Sequence, residues 1–288
     1  MNQIKKCIVC DSTDFKHLFQ KESIRGDKFT LVRCVKCGME FLSGYPDDDE
    51  LAGYYKKEYF TRRTERGYNN YFSPELRAEI ERVFKLNLSD LGFFGFEKDL
   101  PGRKASLDIG CAAGYFVAFM KDRGWESEGI DVSQDCVEFA KTSGLNVVRD
   151  NYLNIDFKHK FNLITLWATI EHLQNPDAVL KKIFNDLHDK GMLYISTCRT
   201  GGINFKRLSG SRWRFYNFPE HIYFFSKKTI KMILKKNGFS IESYITYGSD
   251  FGNCGTRIRK VGDFLAKRIY MGDMMIIAAR KITSRGDL

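Results

Sequence analysis

Prolines are scarce in this chain, five among 288 residues, and no low-complexity tract interrupts it. That argues against proline-rich spacers and disordered arrays. Long apolar runs are missing as well. The longest uninterrupted one is Met274 to Ala279, far short of the ~20 residues a membrane-crossing helix needs. No long apolar run follows the opening Met1-Asn2-Gln3-Ile4-Lys5-Lys6, so no secretory signal is expected and the cytoplasm is the expected setting. Acidic residues are sparse in one region only. Residues 199–288 hold 6 Asp and Glu against 18 Lys and Arg, whereas the preceding part is nearly balanced at 28 basic and 30 acidic groups. The net charge of +10 therefore belongs to the C-terminal third. It implies either an anionic partner or substrate there, or a solvated basic face.

Cysteine is not scarce. Of eight, four fall in the pairs Cys7-Ile-Val-Cys10 and Cys34-Val-Lys-Cys37, separated by 23 residues. Each pair has the knuckle spacing that brings two thiolates to one tetrahedral ion. The expected metal is zinc, in a closed structural site with no open coordination position. Free core thiols are the alternative. A redox dithiol is disfavoured, because two pairs are present and neither opens a helix after a strand.

Three regions differ in texture. Residues 1–44 are a cysteine-paired segment of strands and turns. Residues 45–104 are aromatic and charged, with Tyr54, Tyr55, Tyr59, Phe60, Tyr68, Tyr71 and Phe72 close together. Ser73 and Pro74 open a helix there with Leu76, Ile80, Val83 and Phe84 on one face. The glycines and proline between Leu91 and Arg103 read as a linker. From residue 105 to 288, strands and helices alternate. Strands are expected at 106–109, 127–131, 146–148, 161–167, 191–197, 239–246 and 274–280. Helices are expected from 115, 134, 176 and 227. That rhythm predicts an α/β fold, a doubly wound and mostly parallel seven-stranded sheet, with the small cysteine module added at the N-terminus.

In such folds ligands sit beyond the carboxyl ends of the strands. Gly110 and Gly114 flank the first strand-to-helix turn; the first permits a tight turn, the second a close approach of the helix. Ala112 stands where a dinucleotide fingerprint has its middle glycine. Asp108 lies inside the apolar strand just before the turn, where it would repel a pyrophosphate but favour a cationic ligand. Asp131, 21 residues beyond Gly110 at the end of the next strand, is placed to accept hydrogen bonds from two ribose hydroxyls.

The runs LDIGCAAGYF, EGIDVS, FNLITLWATIEHLQNPDAVL and GMLYISTCR resemble successive motifs of class I S-adenosylmethionine-dependent methyltransferases, which have a Rossmann-like fold. The nearest group is the ubiquinone-biosynthesis O-methyltransferase-like proteins. CIVC…RCVKCGMEFL is similar to the zinc-ribbon-like segment many of them carry, and PEHIYFFSKKTIKMILKKNGF and GDMMIIAARK also fit. The resemblance implies cofactor contacts from Asp108, Gly110, Cys111, Ala112, Gly114, Asp131 and Val132. It implies adenine contacts near Asp150 and Asn151, and from the fourth strand's end around Trp167. Asn162 departs from the usual Asp at a position that is mainly structural.

Methyl transfer to a hydroxyl needs a positioned nucleophile and a proton acceptor. His172, after the fourth strand, and His221, after the fifth, are the candidate bases; each could instead be a structural histidine. Trp213, between Arg212 and Arg214, suits an anionic ring or an amphipathic cover over a core. The expected function is methylation of a small-molecule acceptor, on oxygen, the acceptor being a hydroxylated or anionic metabolite, sugar or lipid precursor. An RNA methyltransferase is the first rival, using the zinc module and the basic third to bind nucleic acid. It is weakened because the Pro-Cys and Pro-Pro-aromatic motifs of base methyltransferases are absent after the fourth strand. A non-catalytic cofactor-binding scaffold is the second rival, and a nicotinamide-dependent enzyme is disfavoured by Asp108 with Ala112.

Overall fold

The computed structural model describes residues 1–47, 50–51, 53–54, 60–61, 70–201, 209–247 and 272–282. Tyr55, Tyr59 and Tyr68 of the aromatic segment lie outside them, as do the basic residues 206, 207, 257, 259, 260, 267, 268 and 285 of the C-terminal third. In chain order the elements are β1 (Asn2–Gln3), β2 (Phe15–Glu22), β3 (Lys28–Cys34), β4 (Glu40–Leu42), β5 (Gly44–Tyr45), α1 (Pro74–Asp90) and α2 (Phe93–Asp99). There follow β6 (Ala105–Ile109), α3 (Tyr115–Lys121), β7 (Glu126–Asp131), α4 (Gln134–Thr142), β8 (Asn146–Arg149), β9 (Phe161–Trp167), α5 (Pro176–Asp186) and β10 (Leu187–Cys198). The last are β11 (Tyr223–Phe224), α6 (Lys227–Lys236), β12 (Phe239–Tyr247) and β13 (Met274–Lys281).

The seven strands expected from the alternating pattern form one sheet in the order β12-β13-β10-β9-β6-β7-β8. Pairings from β8 through to β10 are parallel, and β13 inserts antiparallel between β10 and β12. The winding reverses between β6 and β9, so the ends of these two strands mark the topological switch point. Strand β6, Ala-Ser-Leu-Asp-Ile, is buried at every position, as befits a central parallel strand covered on both faces. At its start the Ala105 N–H donates to the Asn162 side-chain oxygen at 2.9 Å. The departure at Asn162 thus serves strand pairing.

Helix starts follow the sequence signals closely. Ser73, Ser133, Asn175 and Ser226 each cap α1, α4, α5 and α6 through a side chain that accepts a backbone N–H. Two expectations change. The stretch 91–103 is not simply a linker, because Phe93–Asp99 forms α2. Gly92, at φ +76°, turns the chain out of α1, and the Phe93 ring then packs on Trp125 at 5.8 Å. Glu97 accepts the Trp125 indole N–H at 2.7 Å and pairs with Arg123. Aromatic burial outweighs the local glycine signal. The strand expected at 191–197 starts earlier, Leu187 opening β10 opposite Phe161 of β9.

The N-terminal segment forms a separate four-stranded sheet, ordered β11-β4-β3-β2. Its edge strand comes from far along the chain: Tyr223 pairs with Phe41 and Phe224 with Glu40. Nothing in the local pattern of residues 213–225 signalled that pairing, since two residues carry too little periodicity to read.

Candidate cofactor and acceptor site

The turn between β6 and α3 is held from the neighbouring strand. The N–H groups of Gly110 and Cys111 both donate to the Ile130 carbonyl, at 2.8 and 3.1 Å. Gly110, Ala112 and Gly114 have φ of +72°, +45° and +74°. Left-handed backbone is free for glycine but strained for Ala112. A Cβ at Gly110 would lie 2.5 Å from Thr169 Cγ2, so the connection after β9 crosses directly against the turn. A Cβ at Gly114 would meet Leu145 at 2.8 Å and Ala140 at 3.2 Å. The close approach at Gly114 is therefore to α4 and the start of β8 rather than to its own strand. Cys111 points its sulfur at Gly129 and packs with Val117, Val137, Ala140 and Val147. It can offer the turn only its backbone.

Asp108 is almost wholly buried, and the Thr165 hydroxyl donates to its Oδ1 at 2.6 Å. Burial, reinforced by the negative charge at Asp131, lifts its carboxyl to about 8, with the Thr165 bond opposing. Asp131 is half-buried and accepts the Ala112 N–H at 2.7 Å on Oδ2 and the Ser133 N–H at 2.8 Å on Oδ1. Burial raises its pKa as well, against these backbone donors. Each oxygen keeps a lone pair for a further donor. Val132, next along, is 60% exposed.

The Asp150 N–H donates to the Asp131 carbonyl at 3.2 Å. Asp150 and Asn151 use their side chains to close their own turn, accepting from Asn151 N, Asn154 Nδ2 and Leu153 N. Trp167, at the end of β9, rests its ring on Phe84 and Phe116 at 5.1 and 5.2 Å. Its indole nitrogen is buried with no hydrogen-bond partner among the described residues.

The connection after β9 leads from the glycine turn to the histidines: His172 N–H donates to the Thr169 carbonyl at 2.9 Å. The rings of His172 and His221 meet edge to face, centroids 4.5 Å apart at 88°. His172 Nδ1 lies 2.8 Å from the Glu220 carbonyl. A carbonyl only accepts, so Nδ1 carries the proton and Nε2 of a neutral ring keeps its lone pair. Residues 49 apart in sequence thus form one pair, which sequence reasoning had only considered singly. It also missed their acidic neighbours. Glu171 and Glu220 are both buried, a rare state for carboxylates. The clue was a repeated dipeptide, Glu171-His172 and Glu220-His221. Ligand atoms of Glu171, His172 and His221 lie within 4.8 Å of one another, close enough to hold one cation.

Trp213 does not face a ligand surface. It is buried with Tyr216, Phe218, Phe224 and Cys198 against Phe29, Leu31 and Leu42 of the N-terminal sheet. Of the two readings offered by its sequence context, the cover over a core holds.

The four cysteines converge. Cys7 and Cys37 sulfurs are 3.5 Å apart, as are those of Cys10 and Cys34, and all four lie within 4.8 Å of one another. A disulfide needs about 2.05 Å. A tetrahedral ion with bonds of ~2.3 Å needs edges of about 3.8 Å, and the donor set fits it. Burial tends to raise Cys34, but the Cys37 N–H and the Cys10 thiol bring it down to about 7, while burial pushes Cys7 up to about 11.

A family model described as a methyltransferase domain matches residues 73–244. The ubiquinone biosynthesis O-methyltransferase of Glaesserella parasuis is 28% identical over 169 residues, covering 54% of this chain and 68% of its own length. That of Neisseria meningitidis serogroup C is 26% identical over 133 residues, covering 42% and 54%. The mitochondrial one of Saccharomyces cerevisiae is 30% identical over 137 residues, covering 44% and 41%. Each match thus takes in between about two fifths and two thirds of the relative. Among solved structures, magnesium protoporphyrin IX methyltransferase from Synechocystis, with bound SAH, has a TM-score of 0.55 at 16% identity, covering 82% of this chain and all of that one. A SAM-dependent methyltransferase from Archaeoglobus fulgidus scores 0.51 at 19% identity, covering 71% and 94%. These two likenesses are likenesses of fold.

Proposed function

The chain belongs to the methyltransferase domain family, and on that premise we propose that it transfers the methyl group of S-adenosylmethionine to an oxygen of a small hydroxylated acceptor. One observation carries the reading: the connection from Trp167 to His172 runs straight from the cradle at Gly110 to the histidine pair. A donor site and a base thereby adjoin.

The residues present suit the cofactor. Asp108 is a buried carboxyl whose described surroundings supply a hydroxyl and another acid, so an ammonium beside it relieves an uncompensated acid. Asp131 has lone pairs free for ribose hydroxyls, and Val132, Asp150 and Asn151 line the same strand ends. Gly110, Cys111, Ala112 and Gly114 contribute backbone, and Trp167 an apolar wall with one free N–H. When bound, the cofactor supplies an electrophilic methyl on a sulfonium.

The protein's part is to align and deprotonate. As the acceptor oxygen gains its methyl, its proton passes to His172 Nε2, the basic nitrogen of a neutral ring whose Nδ1 donates to the Glu220 carbonyl. The buried Glu171 stabilises the imidazolium that results. His221, edge-on to His172, closes the other side. The sequence relatives bear a name that states O-methylation of a small molecule, which favours this acceptor class over RNA. We further assign a zinc ion to Cys7, Cys10, Cys34 and Cys37 as a structural centre, consistent with a reducing cytoplasmic setting. No described helix is long and apolar enough to cross a membrane.

The deciding experiment is a screen of phenols, hydroxy acids and sugars with methyl-labelled donor, run alongside RNA. Label on a small hydroxyl compound supports the reading; label on RNA alone, or donor binding without transfer to anything, sinks it.

A further inference from the structure

We propose that Glu40, in the cysteine-bearing sheet, is a positioning residue for His221, acting through Tyr216. The inference rests on the assignment of His221 to the acceptor side. Glu40 is a buried carboxylate on β4. One oxygen takes the Arg33 guanidinium at 2.7 Å, and the other accepts the Tyr216 hydroxyl at 3.1 Å, across 176 positions of sequence. Burial and the negative charge at Glu40 hold the Tyr216 phenol protonated well above its ordinary range, so it stays a donor.

From Tyr216 the contacts run unbroken to the histidines. The Tyr216 ring meets Phe224 edge-on at 5.0 Å, Phe224 lies 6.2 Å from the His221 ring, and His221 meets His172. The backbone follows the same route. Phe224 pairs with Glu40 itself, Leu42 N–H donates to the Ile222 carbonyl at 2.9 Å, and Lys21 Nζ holds the Tyr216 carbonyl at 2.8 Å. On the other side, the N–H groups of Ile222 and Tyr223 donate to the Glu171 carbonyl at 2.8 and 3.1 Å. The segment bearing His221 is therefore suspended between two supports. One is the β9 connection that carries the first histidine; the other is the thiol-bearing sheet, and Glu40 is its polar anchor. A buried hydrogen bond to a charged acceptor fixes position more sharply than apolar packing, because any displacement leaves a buried donor unmet.

The test uses the full chain with its metal, histidine-selective NMR and amide exchange. In Tyr216→Phe, which removes the hydroxyl alone, the His221 ring signal shifts and the His221 and Ile222 amides exchange about tenfold faster. Donor affinity by calorimetry and zinc content stay at the wild-type level. Glu40→Ala gives the same pattern. Glu40→Gln, whose one side-chain carbonyl can still accept from the Tyr216 hydroxyl but then turns its amide nitrogen to Arg33, gives a smaller His221 shift than Glu40→Ala. The double variant Glu40→Ala/Tyr216→Phe is no worse than Glu40→Ala, which has already lost the bond to Tyr216 together with the Arg33 pair. Unshifted His221 signals and unchanged exchange in Tyr216→Phe overturn the proposal. So does faster exchange spread evenly to the β6–α3 turn with loss of donor affinity, which marks a merely stabilising contact. His221→Gln, assayed separately, keeps the two questions apart: full activity there removes His221 from the acceptor side, while the exchange result still decides whether Glu40 orders the segment.

Discussion

The Thr165 hydroxyl donates to Asp108 Oδ1 at 2.6 Å, tying the strands on either side of the topological switch point through one side-chain bond. It holds a carboxyl that burial keeps protonated up to about pH 8. If a cation must sit beside it, that proton has to leave.

Donor affinity should accordingly depend on pH. Below about 8 the free carboxyl is neutral, and binding a cationic group ionises it with release of a proton. Affinity then climbs as pH rises toward 8, by up to about tenfold per unit, and levels off above it. Calorimetry from pH 6 to 9 in buffers of different ionisation enthalpy reads both the slope and the proton. Asp108→Asn should bind weakly with a flat profile; a sloping profile in that variant would assign the proton elsewhere.

Asp131→Ala is expected to weaken donor binding by roughly 1–3 kcal/mol, the worth of hydrogen bonds to a charged group. The loss has two sources, because Asp131 also holds the Ala112 and Ser133 amides. Thermal unfolding without ligand separates them, and an unaltered dissociation constant would remove the ribose assignment.

His172→Ala and His221→Ala should each lower turnover, by ~10²–10⁴-fold for the one that takes the proton. Neither should move donor affinity much, because neither lies in the glycine turn. The assay is initial rate against calorimetric affinity, using whichever acceptor the labelled screen returns. Equal, full activity in both variants would end the acid–base role.

Cys34→Ser should abolish zinc retention, read by elemental analysis after gel filtration. Because β11 completes the cysteine-bearing sheet and Trp213 is buried beside it, indole emission should shift to longer wavelength on metal loss. Emission that stays unchanged on removal of all metal would detach the thiols from that packing.

What the sequence disclosed was local. Gly110 and Gly114 announced a turn because left-handed backbone leaves few alternatives. Ser73, Ser133 and Ser226 announced helix starts because their hydroxyls have a chemical task there. Asp108 was legible as an acid where a strand needs apolar residues. The fold of the seven strands followed from these. Contacts that span the chain were hidden. The meeting of His172 with His221 depends on where two connections cross, and β11 is too short for any periodicity. Helix α2 was masked for another reason: Gly92 and Gly95 read as breaks, while its anchor is Trp125, which only the fold brings near.

The late strand β11 also has a consequence for synthesis. The cysteine hairpins leave the ribosome well before β11, so their sheet has an open edge at β4 until residue 224 has emerged. Through most of translation, then, an unpaired ladder of N–H and C=O groups is on offer beside reactive thiols, and an unpaired edge invites foreign strands. A truncation ending before residue 223 inherits that edge permanently. The nascent chain's hazard and the mature chain's rigidity at His221 are two faces of the same pairing.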